Sequence, residues 1–222
     1  MERHKDGRLY TVLQTNTPIR DLAGEISHFI SILEDISARK AAEERIRHLA
    51  HYDTLTNLPN RALFYDRLHQ SLVLAKREDR RVALMFIDLD RFKAVNDELG
   101  HAVGDLLLQS VAQRIRGCIR ETDTLARLAG DEFTVILPNV EQEQDAQAVA
   151  EKILAALSVP ALLEGHEVAA GASIGIAVYP RDAEDADGLV KRADNAMYAA
   201  KAEGRHTWRV CSADDGVGPL AN

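Results

Sequence analysis

Two adjacent carboxylates at a tight turn between apolar segments constrain the fold of this chain most strongly. Apolar residues dominate positions 125–129 and 133–137, and Gly130, Asp131 and Glu132 lie between them. Glycine and aspartate are favoured in tight turns, and apolar runs on both sides of such a turn are typical of a β-hairpin. The sequence therefore predicts a hairpin over 124–137 with an acidic turn. Taken alone, a solvated turn without chemistry is the simpler interpretation of these carboxylates.

A second predicted strand also ends in carboxylates. The apolar run Val82–Ile87 is of the buried-strand type and is followed by Asp88 and Asp90. Because side chains two apart on a strand share one face, both carboxylates can point the same way. Three or four carboxylates at neighbouring strand ends repel one another unless a divalent cation or a cationic ligand lies among them. Hard oxygen donors of this kind indicate magnesium bound together with substrate phosphates.

From Asn60 onward, helical and strand patterns alternate. Amphipathic spacing predicts helices over 60–79, 104–119, 142–157 and 186–203, and apolar runs predict strands over 82–88, 168–178 and Thr207–Val210. Together with the hairpin, this order predicts an α+β fold in which helices cover a central, mostly antiparallel sheet.

The N-terminal region has a different organisation. Leu9–Ile19 and Ile26–Glu34 are expected to form two strands, which on their own make a marginal hairpin. Residues 37–51 are rich in Ala, Glu, Arg and Lys and predict a helix with Ser37 as its N-cap. An apolar stripe on this helix consists of Ala42, Ile46 and Leu49. The stripe suits either a helix packed on its own domain or a short coiled-coil seam between two chains.

Six motifs follow one another along the chain. They are DTLTNLPNR at 53–61, FIDLDRFKAVND at 86–97, GHAVGD at 100–105, AGDEF at 129–133, SIGIA at 173–177 and ADNAMYAAK at 193–201. Their order and spacing resemble the GGDEF family of diguanylate cyclases, over about residues 48–211. The resemblance implies a palm-like, ferredoxin-type central sheet, as in nucleotide polymerases and cyclases.

The resemblance also implies a domain organisation. A GGDEF domain is expected over 52–211, preceded by a linker or signalling helix over 37–51. Residues 1–36 are similar to the C-terminal end of a PAS sensor domain, so control by an upstream signal is expected. Residues 212–222 are expected to form a disordered tail.

The metal and catalytic roles are implied by the family pattern. Asp88, Asp131, Glu132 and the backbone carbonyl of Leu89 match the metal ligands, and Asp131 and Glu132 match the catalytic pair. Glu132 falls at the position tied to activation of the attacking hydroxyl. Two Mg²⁺ ions per active site are implied, for which Mn²⁺ is expected to substitute. Such ions can polarise the α-phosphate and neutralise the departing pyrophosphate.

The substrate contacts are implied in the same way. Three cations resemble the family's phosphate partners: Lys93, Lys201 and Arg205. Most surface lysines and arginines are merely solvated, which is the alternative for these three. Asn96 and Asp105 fall where the family reads guanine, and a carboxylate can accept from the N1 and amino groups of that base. Asp105 is also expected to open the helix over 104–119, where the helix dipole favours a carboxylate.

Arg120 and Asp123 match the family's product-inhibition motif, which implies an allosteric site for cyclic di-GMP. A guanidinium fork suits a phosphate or the acceptor edge of guanine, and a carboxylate suits guanine's donors. The alternative is a surface ion pair near a helix end, worth less than about 1 kcal/mol.

The signature motif departs from the family at Ala129, which replaces the first glycine. If the backbone there needs a positive φ, alanine is strained by roughly 1 kcal/mol; otherwise it is tolerated. We expect catalysis to survive because residues 130–133 match the signature.

Charge and composition limit the partners. The net charge of −8 disfavours nonspecific binding to nucleic acid or to anionic membranes. Cys118 and Cys211 lack metal-ligand spacing and are expected to be free thiols in a reducing compartment. With no apolar run of membrane length, a cytoplasmic chain without direct membrane contact is expected.

The resemblance implies an enzyme that condenses two GTP molecules into cyclic di-GMP and releases two pyrophosphates. A homodimer is expected to be needed for catalysis, with cyclic di-GMP as product and inhibitor. The alternative is a catalytically silent GGDEF-like module that binds GTP or cyclic di-GMP and regulates a partner. A purely structural role is disfavoured because each acidic site residue is present.

Overall fold

A computed structural model describes residues 2–3, 7 and 9–212 of the 222-residue chain. The chain forms two compact units, Met1–Ala50 and His51–Asn222. The tail expected to be disordered lies, except for Ser212, outside the described residues.

The first unit consists of small antiparallel pairings and a helix. Strands β1 (Glu2–Arg3) and β2 (Leu9–Tyr10) pair with each other, and β3 (Val12–Arg20) pairs with β4 (Ile26–Asp35). The predicted strand Leu9–Ile19 is therefore interrupted at Thr11. Helix α1 (Ser37–His51) follows β4.

The prediction that Ser37 caps α1 through its side chain is wrong. Ser37 is the first helical residue, and its amide donates a hydrogen bond to the Asp35 carboxylate at 2.9 Å. Its hydroxyl oxygen instead accepts from the amide of Thr11 at 2.8 Å. The hydroxyl thus joins the start of the helix to Thr11, the residue between β2 and β3.

The second unit contains most of the secondary structure. Its elements are α2 (Arg61–Glu78), β5 (Arg81–Asp90), α3 (Phe92–Leu99), α4 (His101–Cys118), β6 (Thr124–Ala129), β7 (Glu132–Val140), α5 (Glu143–Ser158), β8 (Ala161–Leu163), β9 (His166–Val168), β10 (Gly171–Tyr179), α6 (Ala186–Ala202) and β11 (Thr207–Val210).

Five strands form the central sheet, in the order β11-β10-β5-β7-β6. The pairs β10–β5, β5–β7 and β6–β7 are antiparallel, and only β11 pairs in parallel, along β10. The run β5-α4-β6-β7-α5-β10 has the βαββαβ order of a ferredoxin-like unit. The predicted α+β fold and mostly antiparallel sheet are confirmed.

Alternation along β5 divides the core into two layers. Val82, Leu84 and Phe86 pack with apolar residues of α2 and α6, whereas Ala83, Met85 and Ile87 pack with α4 and α5. Because side chains on a strand alternate, the series facing α2 and α6 continues into Asp88 and Asp90. The acidic strand end therefore lies at the margin of the α2–α6 layer.

Three elements of this unit were not predicted, and several boundaries differ. Helix α3 and the β8–β9 hairpin have no counterpart in the sequence interpretation, and β10 begins at Gly171 rather than at residue 168. Helix α4 begins at His101, three residues before its predicted start. Asp105 consequently lies in the second turn, and the expectation that it opens the helix is wrong.

Within the described ranges, no helix combines the length and the apolar character needed to cross a membrane.

Candidate active site

The candidate site is built where the end of β5 meets the β6–β7 turn. Antiparallel register places Asp88 directly opposite Glu132, the first residue of β7. Next to this pair, the amide of Leu89 is 3.4 Å from the carbonyl oxygen of Asp131. The backbone therefore joins the two acidic segments that the sequence separates by more than forty positions.

Burial and neighbouring carboxylates raise the pKa of two members of this cluster, Glu132 and Asp88. Burial raises the pKa of Glu132, and the charges of Asp88, Asp194 and Asp131 raise it further, against a lowering effect of Arg61. Burial also raises the pKa of Asp88, together with the charges of Asp131 and Asp90. Such crowding favours a bound cation, because a cation offsets the repulsion between the ionised groups.

Lys201 lies in the last turn of α6 and contacts this cluster directly. Its Nζ is 2.8 Å from Oδ2 of Asp88 and lowers the pKa of that carboxyl, although burial outweighs it. The predicted phosphate partner thus lies beside a predicted metal ligand. A lysine in that position can neutralise either the carboxylate or a nearby phosphate.

The other two predicted phosphate partners are exposed. Arg205 lies in the turn between α6 and β11, and Lys93 lies in the first turn of α3. The neighbour of Arg205, His206, donates its backbone amide to Asp90 at 2.8 Å. This bond connects the Arg205 turn to the end of β5.

The two residues expected to read guanine lie on neighbouring helices. Asn96 is half-buried on α3, and Asp105 is exposed on α4. Gly104 is buried beneath the Asn96 side chain: a Cβ built on Gly104 would lie 1.9 Å from the Asn96 Oδ1. The absence of a side chain at 104 therefore makes room for the Asn96 amide, one residue from Asp105.

The acidic turn is held by Arg127, the one charged residue of strand β6. Its guanidinium donates to the carbonyl oxygen of Gly130 at 2.9 and 2.7 Å through Nε and Nη2, and to Asp53 at 2.9 Å through Nη1. The same Asp53 oxygen accepts from the amide and hydroxyl of Thr56. Arg127 thereby fixes the residue that precedes Asp131.

Ala129 causes no backbone strain in the turn. It ends β6 and pairs with Glu132, and the positive φ of the turn, +49°, falls on Gly130. The glycine that the turn needs is therefore present.

Arg120 and Asp123 lie before β6, at the end of that strand away from the acidic turn. Asp123 is 7% exposed and accepts a hydrogen bond from the backbone amide of Arg120 at 2.8 Å. Burial raises the pKa of Asp123, against a lowering effect of this bond and of the Arg120 charge. Arg120 itself is exposed and borders two cavities of about 320 and 360 Å³.

The sequence interpretation assigned no role to four residues that act on the site. They are Arg61, Asp194, Arg127 and Asp53. Arg127 could have been noticed as a lone charge within an apolar strand. Arg61 and Asp194 reach Glu132 only through the packing of α2 and α6 on the sheet, which local pattern does not reveal.

The donor set suits a hard divalent cation, but it is not assembled as a closed metal site. Among residues 9–212, no three His, Cys, Asp or Glu side chains are gathered closely enough to coordinate an ion by themselves. Asp88, Glu132 and Asp131 nevertheless offer oxygen donors at adjoining strand ends, the chemistry that magnesium prefers. These three carboxylates would hold such an ion, which would supply positive charge for the phosphates of a ligand.

Two proteins of Pseudomonas aeruginosa are similar in sequence to this chain. The chain is 50% identical over 176 residues to the bifunctional diguanylate cyclase/cyclic di-GMP phosphodiesterase MucR of Pseudomonas aeruginosa, covering 79% of this chain and 25% of MucR. Diguanylate cyclase TpbB of the same organism is 42% identical over 199 residues, which are 89% of this chain and 46% of TpbB. The chain spans less than half the length of either relative.

Solved structures agree with this relation. The GGDEF domain of TpbB superposes with a TM-score of 0.73 at 45% identity, covering 74% of this chain and 96% of that one. The coiled coil and GGDEF domain of DgcB from Caulobacter crescentus, in complex with cyclic di-GMP, gives 0.69 at 30% identity, covering 80% and 93%. A family model described as diguanylate cyclase, GGDEF domain, matches residues 50–207. The chain therefore belongs to the GGDEF-domain family of diguanylate cyclases.

Proposed function

We propose that the protein is a diguanylate cyclase. In each of two steps, the 3′-hydroxyl oxygen of one GTP attacks the α-phosphorus of the other. A new P–O bond forms, the bond between the α-phosphorus and its bridging oxygen breaks, and pyrophosphate leaves. Two such steps close the cyclic dinucleotide.

One observation carries this proposal: Asp88 lies in register with Glu132, and Asp131 adjoins the pair. The cluster has the composition that phosphoryl-transfer chemistry requires, and its mutual repulsion favours a cationic ligand. Membership of the diguanylate cyclase family supports the same conclusion.

Asp88, Asp131, Glu132 and the carbonyl of Leu89 would hold two magnesium ions, for which manganese would substitute. When bound, such ions polarise the α-phosphate and offset the charge of the leaving pyrophosphate.

The side chains around this cluster have separate tasks. Glu132, whose pKa is raised, is suited to receive the proton of the attacking hydroxyl. Lys201 would exchange its contact with Asp88 for the phosphates, and Arg205 and Lys93 would add positive charge. Asn96 and Asp105 would hold the guanine edge, where an amide and a carboxylate match its acceptors and donors.

Catalysis would require two chains. Each site binds one GTP and supplies half of a two-fold symmetric product, so two sites must face each other. An apolar stripe on α1 supports this arrangement because Ile46 and Leu49 are 67% and 50% exposed. We assign α1 as the signalling helix and the preceding hairpin as part of a PAS-like sensor.

Arg120 and Asp123 would form an inhibitory product site. The exposed Arg120 guanidinium between two cavities suits a phosphate or a guanine edge of cyclic di-GMP. Arg120→Ala should leave the initial rate unchanged and weaken inhibition by added product. Equal binding of cyclic di-GMP by wild type and variant would eliminate this site without touching the catalytic one.

Product identification tests the proposal. The protein incubated with GTP and Mg²⁺ should yield cyclic di-GMP and two pyrophosphates per product, identified by chromatography. Asp131→Asn should abolish turnover with an unchanged melting temperature, whereas Asp97→Asn, at an exposed position on α3, should retain it. Nucleotide binding without any product would instead assign the protein as a catalytically silent regulatory module.

A further inference from the structure

We propose that Asp90 is a positioning residue that holds the Arg205 turn in place for the phosphates of the bound nucleotide. This inference rests on the proposed function and assigns a separate task to the second carboxylate of β5. Asp88 contributes to the acidic cluster, whereas Asp90 acts through the backbone of the turn after α6.

Both oxygens of Asp90 are engaged by other parts of the fold. Oδ1 accepts from the hydroxyl of Ser173 on β10 at 2.7 Å, and Oδ2 accepts from the backbone amide of His206 at 2.8 Å. Ser173 is completely buried, so its hydroxyl depends on this partner. The carboxylate is therefore committed to two structural hydrogen bonds.

Strand β10, which pairs with β5, leaves room for the Asp90 carboxylate in this orientation. Gly171 of β10 is the register partner of Asp90, and a Cβ built on Gly171 would lie 3.0 Å from the Asp90 Oδ2. A side chain at 171 would press on the oxygen that holds His206. The position of the Asp90 carboxylate is therefore fixed by Ser173, His206 and Gly171.

The turn that Asp90 holds has an unfavourable backbone conformation. Arg205 and His206 have φ angles of +66° and +47°, and Gly204 before them has +119°. Left-handed backbone is unfavourable in non-glycine residues, so such a turn persists only where its surroundings hold it. The backbone amide that donates a hydrogen bond to Asp90 belongs to His206, the last of these three residues.

A second contact holds the His206 ring. Its Nε2 is 2.9 Å from the Ser158 hydroxyl at the end of α5. His206 is therefore fixed at its backbone by Asp90 and at its ring by Ser158. Arg205 immediately precedes this anchored residue, and its guanidinium is exposed. Fixing the backbone of Arg205 reduces the conformational freedom lost when its side chain meets a phosphate.

Steady-state kinetics with GTP separate this role from metal binding. Asp90→Ala should raise the KM for GTP roughly tenfold, as expected for the loss of a charge-assisted hydrogen bond, with kcat changed much less. Asp90→Asn, which retains an acceptor oxygen, should show a smaller effect. At saturating GTP, the Mg²⁺ concentration that gives half-maximal rate should stay at the wild-type value.

The double variant Asp90→Ala/Arg205→Ala provides the decisive comparison. Because Asp90 acts through Arg205, the double variant should be no weaker in GTP binding than Arg205→Ala alone. Additive effects, or a raised Mg²⁺ requirement in Asp90→Asn, would overturn the inference. So would a wild-type KM in Asp90→Ala.

A readout independent of turnover distinguishes failure of the inference from failure of the proposed function. The backbone amide of His206 should exchange its hydrogen faster in Asp90→Ala than in wild type, measured by NMR on the full chain. Unchanged exchange would overturn the inference even in an active enzyme. Wild-type protein that fails to make cyclic di-GMP would overturn the proposed function; the exchange rate would still decide whether Asp90 holds the turn.

Discussion

Glu132 lies among like charges, which makes its ionised form unfavourable in the folded protein. Burial is the largest cause of its raised pKa, followed by the charge of Asp88. A carboxyl with a raised pKa lowers folding stability once the pH rises above its ordinary pKa, because the unfolded chain ionises it more easily. The ionised form of Glu132 therefore opposes folding.

Glu132→Gln should accordingly raise the melting temperature at neutral pH while abolishing turnover. The gain should vanish below the ordinary pKa of glutamate, where the group is protonated in both states. It should grow as the pH rises to the raised pKa and then stay constant. Thermal unfolding at several pH values, without divalent cations, measures this difference.

Glu151→Gln, at an exposed position on α5, serves as the matched control and should leave the melting temperature close to the wild-type value. If Glu132→Gln melts below wild type at neutral pH, the electrostatic account of Glu132 is wrong.

Asp53 shows the opposite behaviour at the same scale. Burial raises its pKa, but hydrogen bonds from Thr56 and Arg127 lower it by more, so the net shift is downward. Its ionised form is stabilised in the fold, and that contribution is lost as the pH falls through the lowered pKa. The Asp53–Arg127 pair stabilises the acidic turn through Gly130, whereas Glu132 in that turn opposes folding.

Sequence reasoning succeeded at this scale where a residue's neighbours are fixed by one strand pairing. The acidic hairpin and the strand ending at Asp88 were predicted, and antiparallel register then brings Asp88 to Glu132. The task of Asp90 was not predicted, because its partners Ser173 and His206 lie 83 and 116 positions away. The spacing of Asp88 and Asp90 indicates that both carboxylates lie on one face of the strand. It does not indicate which of the two is already hydrogen-bonded to other parts of the fold.

Among the elements, α3 and α4 carry the two residues proposed to bind guanine, and the helices pack closely at one glycine. A Cβ at Gly104 would collide with Oδ1 of Asn96 and come within 3.4 Å of the Phe92 ring. The far end of a flexible side chain can move aside, so alanine at 104 should displace the amide rather than disrupt the helices.

Gly104→Ala should therefore raise the KM for GTP with little loss of kcat. Alanine is the better helix former by up to about 1 kcal/mol, so stability should be retained or improved. Gly117→Ala on the same helix is the matched control, because a Cβ there meets nothing within 4 Å. That control should gain stability with an unchanged KM. A wild-type KM in Gly104→Ala would contradict the assignment of Asn96 to guanine.

The long elements were predictable because their apolar periodicity extends over several turns. Helix α3 was missed because it has only eight residues, although Phe92, Val95 and Leu99 have helical spacing and pack against the core. The β8–β9 hairpin has strands of three residues, too short for alternation to be recognised. Helix α4 starts earlier than predicted because polar His101 and small Ala102 precede its first apolar residue.

At the scale of the whole molecule, the apolar stripe on α1 is exposed in the single chain. No residue of α1 is buried, and Ile46 and Leu49 are among the large exposed apolar side chains. A stripe of under three heptads gives weak association, so the proposed dimer should dissociate at accessible concentrations. If catalysis requires two chains, as proposed, specific activity then depends on protein concentration.

The specific activity of wild type should therefore fall on dilution, with a midpoint that matches the dimer dissociation constant measured by sedimentation. The variant Ile46→Glu/Leu49→Glu should shift that midpoint to higher concentration, because like charges then face each other across the seam. At high concentration it should recover wild-type activity, since the active-site residues are unchanged. Val73→Glu, which replaces an exposed apolar residue on α2, is the control and should leave the midpoint in place. Specific activity that stays constant across the dissociation range would rule out catalysis between two chains.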